Sequence, residues 1–238
     1  MNSSKKVFTN IYHNKKWSDP FSHSGTGSNL IQTEKIRRDI LLLVELFSIK
    51  TIVDAPCGDF FWMKEIKNEL AQKKIQYLGL DVVSEIISFN IENHSDNYFN
   101  FKELDITKDP IPKSDLIICR DCLVHLSFAD IFKTLRNFKK SKSKYILTTT
   151  FVKRKKNIPI HTGDWRSINL QTFPFNFKNP ILLINENSTE PTNVLNDKCL
   201  VLYEIKSMNL SFFKFKCLLN SLINFLRITI NKIHLNER

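Results

Sequence analysis

Glycine is scarce in this chain, with five among 238 residues. A dinucleotide site needs the pattern G-x-G-x-x-G, whose glycines let the backbone approach a pyrophosphate, and a P-loop needs G-x-x-x-x-G-K-[ST]. The P-loop pattern occurs nowhere, and the turn after the first predicted strand contains a single glycine, Gly58, followed by an aspartate. The sequence therefore argues against both of these phosphate-binding sites.

Cysteines and long apolar runs are few as well. The five cysteines are odd in number and show no regular spacing, which favours a reduced cytosolic protein without disulfides. Cys119 and Cys122 form a C-x-x-C pair with no second ligand pair, so we predict no metal site. The N-terminus lacks the apolar stretch of a signal peptide, and no run reaches the roughly 20 apolar residues of a membrane-spanning helix.

Acidic residues are outnumbered by basic ones, and the formal net charge is +11. Nucleic acids and anionic membranes attract such chains. However, there is no arginine-rich stripe with interleaved aromatic residues, and the densest basic run, residues 153–156, is short and falls in a predicted loop. We interpret the excess as a lysine-rich surface and expect no nucleic-acid partner.

The sequence does contain a regular alternation of short β-rich runs and helical periodicity. Apolar residues at helical spacing predict a helix from Thr33, with Thr33 as its cap, and Ser127 begins a capping box before another. Such alternation is typical of an α/β fold, a Rossmann-like doubly wound, mostly parallel seven-stranded sheet with helices on both faces. The predicted strands cover residues 51–54, 75–81, 99–104, 115–119, 145–151, 181–185 and 199–205, and further helices cover residues 60–73 and 83–93.

Aspartates follow the first four predicted strands: Asp54, Asp81, Asp105 and Asp121. Because ligands bind at the carboxyl ends of the strands in such sheets, we expect these side chains to face one crevice. Carboxylates would repel a phosphate, but they suit S-adenosylmethionine (SAM), which carries an ammonium, a sulfonium, a ribose diol and an adenine amine. Asp81 has the usual position of a ribose-diol acceptor.

The same segments resemble motifs of class I SAM-dependent methyltransferases. The resemblance is closest to a bacterial group that shares D-A-P-C-G-D-F-x-W-M, C-R-D-x-L-V-H-L and T-G-D-W-R, and it covers roughly residues 22–205. Pro56 and Cys57 stand where the commoner family form has glycines. The resemblance implies a methyltransferase whose candidate cofactor-binding residues in this sequence are Asp54, Cys57, Gly58, Asp81, Asp105, Ile106 and Arg120.

Two further segments carry chemistry suited to the methyl acceptor. Asp121, His125 and His161 are candidate catalytic bases for an oxygen acceptor. Asp164, Trp165 and Arg166 are candidate substrate-binding residues, because arginine binds phosphate or carboxylate with two donors. We therefore expect O-methylation of a small hydroxyl- or phosphoryl-bearing acceptor, and the family resemblance suggests a sugar precursor of surface polysaccharide.

Alternatives remain for these residues. His125 would serve equally as a hydrogen bonder at a helix entry, and Arg166 with Asp164 would serve to brace their own loop. At the level of the whole protein, the rivals are a non-enzymatic cofactor-binding protein and a membrane-surface scaffold.

The chain divides by composition into three segments: residues 1–30, an N-terminal segment with a loop on the substrate and cofactor side; residues 31–206, a methyltransferase domain; and residues 207–238. The last segment predicts an amphipathic helix, with polar residues on one face and apolar residues elsewhere. Three roles are open to it, namely packing on the domain, homodimerisation, or peripheral contact with the inner face of a membrane. The expected location is cytoplasmic.

Overall fold

The computed structural model describes residues 4–17, 19–189 and 196–210. The chain divides into two units, residues 1–208 and 209–238, and the sheet with its helices belongs to the first unit. The predicted amphipathic helix and Cys217 lie outside the described residues, apart from the few residues up to 210.

The described residues form a seven-stranded sheet with helices, which confirms the predicted fold class. Strand order is β3-β2-β1-β4-β5-β7-β6. Neighbouring strands from β3 to β5 run parallel, and β7 is antiparallel to both β5 and β6. The strands are β1 Thr51–Asp54, β2 Gln76–Asp81, β3 Phe99–Glu103, β4 Leu116–Cys119, β5 Tyr145–Phe151, β6 Leu182–Asn185 and β7 Lys198–Glu204.

Chain order reverses between β1 and β4, which are adjacent although two strands separate them in sequence. The reversal places the carboxyl ends of β1 and β4 beside a crevice, the usual ligand position in such sheets. All four residues of β4 are buried, as expected for a strand covered on both faces.

The helices are α1 Ser4–His13, α2 Leu30–Leu46, α3 Lys67–Gln72, α4 Ser84–His94 and α5 Phe128–Lys140. Among the described residues, no helix is long and apolar enough to cross a membrane. The predicted cap of α5 is confirmed, since Ser127 Oγ accepts a hydrogen bond from the Asp130 amide. The predicted cap of α2 is wrong: Asn29 caps this helix by accepting from the Gln32 amide, while the Thr33 hydroxyl donates to the Asn29 carbonyl.

One other helical prediction differs from the structure, and one helix was not predicted. The helix predicted over residues 60–73 is confined to α3 and preceded by a 3₁₀ turn at Met63–Ile66; Phe60, with a φ of 57°, lies outside helical geometry. The helix α1 is absent from the predicted elements, and it forms part of the functional cleft.

Candidate active site

A cleft lies at the carboxyl ends of β1, β2 and β4. It brings together nine of the residues singled out from the sequence. They are Asp54, Cys57, Gly58, Asp81, Asp105, Ile106, Arg120, Asp121 and His125.

The turn after β1 forms the floor of the cleft. The Cys57 amide donates to a backbone carbonyl at the end of β2, and the Gly58 amide donates to Asp81 at 3.2 Å. Gly58 has a φ of 55°, and a Cβ there would overlap the hydroxyl of Ser24. One glycine therefore suffices for this turn, because only position 58 combines a left-handed backbone with close contact.

Asp54 and Asp81 are the two most deeply buried carboxylates of the cleft. Tyr77 donates its hydroxyl to Asp54 at 2.7 Å, and Asp81 accepts from the amides of Gly58 and Val83. Burial raises the pKa of Asp54 to about 7 and that of Asp81 to about 6. Among the described residues neither carboxylate has an ion-pair partner, so the floor of the cleft favours a ligand that brings positive charge.

Asp105 and Ile106 follow β3 on the side wall. The Asp105 carboxylate accepts from the hydroxyl of Ser4 on α1 and from the amide and hydroxyl of Thr107. Burial alone would raise its pKa, but these donors outweigh burial and lower it. The Ile106 carbonyl accepts from Asn137 of α5. These contacts fix the chain at this edge, with an ionised carboxylate in the wall.

A buried network of four charges closes the cleft beyond β4. The guanidinium of Arg120 donates to Glu186 at 2.7 Å and to the Gly27 carbonyl, and lies 3.2 Å from Asp121. The Lys198 ammonium is 2.6 Å from Asp121 and 3.5 Å from Glu186. Burial would raise the pKa of Asp121, yet Arg120 and Lys198 outweigh it and hold the pKa well below its usual range.

No sequence pattern indicates this network, because Glu186 and Lys198 are far from Arg120 in the chain. They meet because β6 ends, and the antiparallel β7 begins, at the same edge of the sheet.

His125 lies in the cleft wall before α5. Its Nδ1 is 2.9 Å from the backbone carbonyl oxygen of Asp164, and its ring packs at a tilt of 31° against Trp17 with centroids 4.0 Å apart. Burial lowers its pKa to about 4, so the imidazole is neutral at physiological pH.

The other four candidates do not line this cleft. The side chains of His161, Asp164 and Trp165 are exposed. Arg166 is buried, and its Nη1 donates to the Val124 carbonyl at 3.1 Å; it forms no ion pair with Asp164 among the described residues. The loop of residues 161–166 therefore contacts the cleft residue His125 through its main chain rather than through these side chains.

The N-terminal segment, for which the sequence predicts a loop on the substrate and cofactor side, also contributes individual cleft residues that the predictions do not name. Their signal was present in part, since Phe8, Ile11 and Tyr12 recur at helical spacing. Those that line the cleft are Ser4, Phe8, Ile11, Tyr12, Trp17, His23, Ser24 and Ser28.

The four described cysteines are free and buried. Within the described ranges, no group of His, Cys, Asp and Glu is arranged to hold a metal ion.

Solved structures share this architecture at low sequence identity. Human N-acetylserotonin methyltransferase, solved in complex with SAM, has a TM-score of 0.58 at 14% identity, over 85% of this chain and 60% of that one. Magnesium protoporphyrin IX methyltransferase from Synechocystis PCC 6803, solved with bound SAM, has a TM-score of 0.56 at 10% identity, over 85% and 97%. N-methyltransferase NodS from Bradyrhizobium japonicum WM9 has a TM-score of 0.50 at 12% identity, over 72% and 95%.

These likenesses show that the chain has the fold of class I methyltransferases. The chain spans 60% of the length of the human enzyme. No protein-family profile and no curated protein sequence matches it.

Proposed function

We propose that this protein is a SAM-dependent methyltransferase. The observation that carries the proposal is the pair Asp54 and Asp81, two buried carboxylates without a cation partner among the described residues, at the switch point of a methyltransferase fold. When bound, SAM supplies an electrophilic methyl group on a sulfonium. Its cationic groups and its ribose hydroxyl donors would offset the burial of these carboxylates.

The residues present fit this cofactor. Asp81, at the end of β2, would accept hydrogen bonds from the ribose diol. Asp105 and Ile106 would hold the adenine, and Asp54 with the turn at Cys57 and Gly58 would hold the amino-acid part. Arg120 would support the site indirectly, since its guanidinium is already bonded to Glu186 and Gly27.

For the acceptor, we favour a small uncharged molecule that is methylated on a hydroxyl. A phosphoryl-bearing acceptor would need arginine donors, but the guanidinium of Arg120 is bonded to Glu186, and Arg166 is buried and does not line the cleft. The wall near His125 instead carries the aromatic rings of Tyr12 and Trp17 and the carboxylate of Asp121. These suit a ring that stacks and a hydroxyl that donates, as in a sugar precursor of surface polysaccharide.

Calorimetry with SAM and S-adenosylhomocysteine tests the cofactor. We expect saturable binding of both and no competition from NADH, because the turn after β1 lacks a pyrophosphate cradle. Acceptors would then be screened as neutral sugars beside their phosphorylated forms, with S-adenosylhomocysteine release as the readout. Absence of SAM binding by the folded protein overturns the proposal, and binding without turnover on any acceptor favours a non-enzymatic binding protein.

A further inference from the structure

The contact between His125 and the loop that follows β5 fixes the protonation of the imidazole. Nδ1 lies 2.9 Å from the Asp164 carbonyl oxygen. A carbonyl oxygen only accepts hydrogen bonds, so Nδ1 must carry the hydrogen. In a neutral imidazole Nε2 then keeps the lone pair, and the ring that bears it forms part of the cleft wall.

The backbone around this contact is held from both sides. The Gly163 amide donates to the His125 carbonyl at 2.9 Å, and the Arg166 amide donates to the Val124 carbonyl at 3.0 Å. Gly163 has a φ of 105°, and a Cβ there would overlap Val7 of α1. A glycine is therefore favoured at 163, which gives the glycine of T-G-D-W-R a physical reason that does not involve substrate.

We propose that His125 accepts the proton of the acceptor hydroxyl through Nε2, and that the main chain of residues 163–166 is the positioning element that holds it in this tautomer. The proposal rests on the proposed methyltransferase function. The step assigned to His125 is a proton transfer: the O–H bond of the acceptor breaks, an N–H bond forms at Nε2, and the positive charge stays on the imidazolium until solvent takes the proton.

The other two candidate bases are less suited to this step. Asp121 is paired with both Arg120 and Lys198, and its pKa is held well below its usual range. A proton on Asp121 would cost its carboxylate the attraction of both cations, whereas His125 has no ion-pair partner among the described residues to give up. His161 is exposed and does not line the cleft.

The charged groups near His125 shift its pKa in opposite directions. Burial is the largest influence and lowers its pKa to about 4, Lys198 and Arg166 also lower it, and Asp121 raises it. The imidazole is therefore neutral above about pH 5, and the carboxylate of Asp121 stabilises the imidazolium once it forms.

Histidine-labelled ¹⁵N NMR tests the tautomer without an acceptor. His125→Asn identifies the resonances. We expect the Nδ1–H tautomer at pH 7 and a pKa below that of N-acetylhistidine. Asp164→Ala keeps the carbonyl and should leave the tautomer unchanged, whereas Gly163→Ala strains the loop and should mix the tautomers. An Nε2–H tautomer in the wild-type protein, or equal effects of the two loop variants, overturns the proposal.

Carbethoxylation by diethyl pyrocarbonate tests whether Nε2 is open to the cleft. With a pKa of about 4, the modification rate of His125 should change less than about twofold between pH 5 and pH 7, while N-acetylhistidine reacts about 25-fold more slowly at pH 5. S-Adenosylhomocysteine should slow the reaction. If His125 is not modified in the free protein, the assignment is contradicted. Failure of the protein to bind SAM instead overturns the proposed function and leaves the tautomer result standing.

Discussion

At the scale of single residues, Asp54 and Asp81 differ from the other acids of the cleft because nothing positive is bonded to them. The ammonium of Lys108 lies 3.1 Å from Asp105, and Asp121 is paired with Arg120 and Lys198. The two floor carboxylates are the ones whose pKa values are raised, by burial. Their protonation should therefore be linked to cofactor binding.

This linkage predicts that affinity for SAM increases as pH rises from about 5.5 to 7.5. In the free protein the carboxylates bind protons up to their raised pKa values of about 6 and about 7, and a cationic ligand favours the ionised forms. Calorimetry in two buffers of different ionisation enthalpy should show proton release in this range. 5′-Methylthioadenosine, which keeps the ribose diol but lacks both cationic groups, is the control and should show a weaker pH dependence; the same pH dependence for both ligands would falsify the linkage.

The same shift predicts that Asp54→Asn stabilises the cofactor-free protein at alkaline pH. The folded pKa of about 7 lies above the ordinary value of 3.8, so the contribution of Asp54 to stability is complete below pH 3.8 and is lost as pH rises through 7. Asn cannot ionise and keeps an acceptor for Tyr77. Urea denaturation should show a gain of up to about 4 kcal/mol at pH 8 and none at pH 3.5; an equal gain at both would point to another cause.

Asp81→Asn should weaken SAM binding by about 1.5–3 kcal/mol, the typical value of hydrogen bonds to a charged group. The variant retains the shape of Asp81 but loses its charge. Because Asp81 also accepts from Gly58 and Val83, thermal denaturation must accompany the calorimetry. Asp39→Asn on α2, outside the cleft, is the matched control. Unchanged affinity in a folded Asp81→Asn protein would remove Asp81 from the site.

At the scale of elements, α1 is the part of the cleft that the sequence patterns left unpredicted. Its Ser4 bonds to Asp105, Lys5 pairs with Glu103, and His13 lies 2.7 Å from Glu85. These contacts join it to the ends of β3 and to α4, so it forms a wall across the bound cofactor's expected position.

Deleting residues 1–17 should therefore weaken SAM binding and expose the floor of the cleft. Cys57 lines the cleft beneath this segment, whereas Cys199 is buried elsewhere. Alkylation followed by mass spectrometry should show faster modification of Cys57 and an unchanged rate for Cys199. Equal acceleration of both cysteines would indicate unfolding, and no acceleration of Cys57 would show that α1 does not cover the cleft.

The strands were predictable because they are short runs rich in aliphatic, aromatic or β-branched residues and bounded by turn residues; β1 and β5 match their predicted bounds in full. The carboxylates at the strand ends followed from that pattern, since parallel strands end at one edge. The wall from α1 and the charge network could not follow, because each depends on packing between residues distant in sequence. The main-chain contacts of residues 163–166 with Val124 and His125 were also unpredictable, since sequence patterns describe side chains.

At the scale of the whole molecule, the described cleft and core both lie within residues 4–208. Met208 lies beyond the domain boundary predicted at 206, yet it is buried and its carbonyl accepts a hydrogen bond from Lys139 of α5. A truncation before Met208 therefore removes part of the domain, whereas one after it removes only the tail.

A chain ended after residue 210 should keep the SAM affinity and melting temperature of the full chain, because every cofactor-binding candidate and Met208 are retained. A chain ended after Ile205 loses the buried Met208 side chain, whose burial contributes about 1.5–3 kcal/mol, and should melt at a lower temperature. Sedimentation velocity and flotation with anionic vesicles then assign the tail: loss of a dimer or of vesicle binding in the 210 variant identifies its role. Loss of cofactor binding in that variant would instead make residues 211–238 part of the methyltransferase domain.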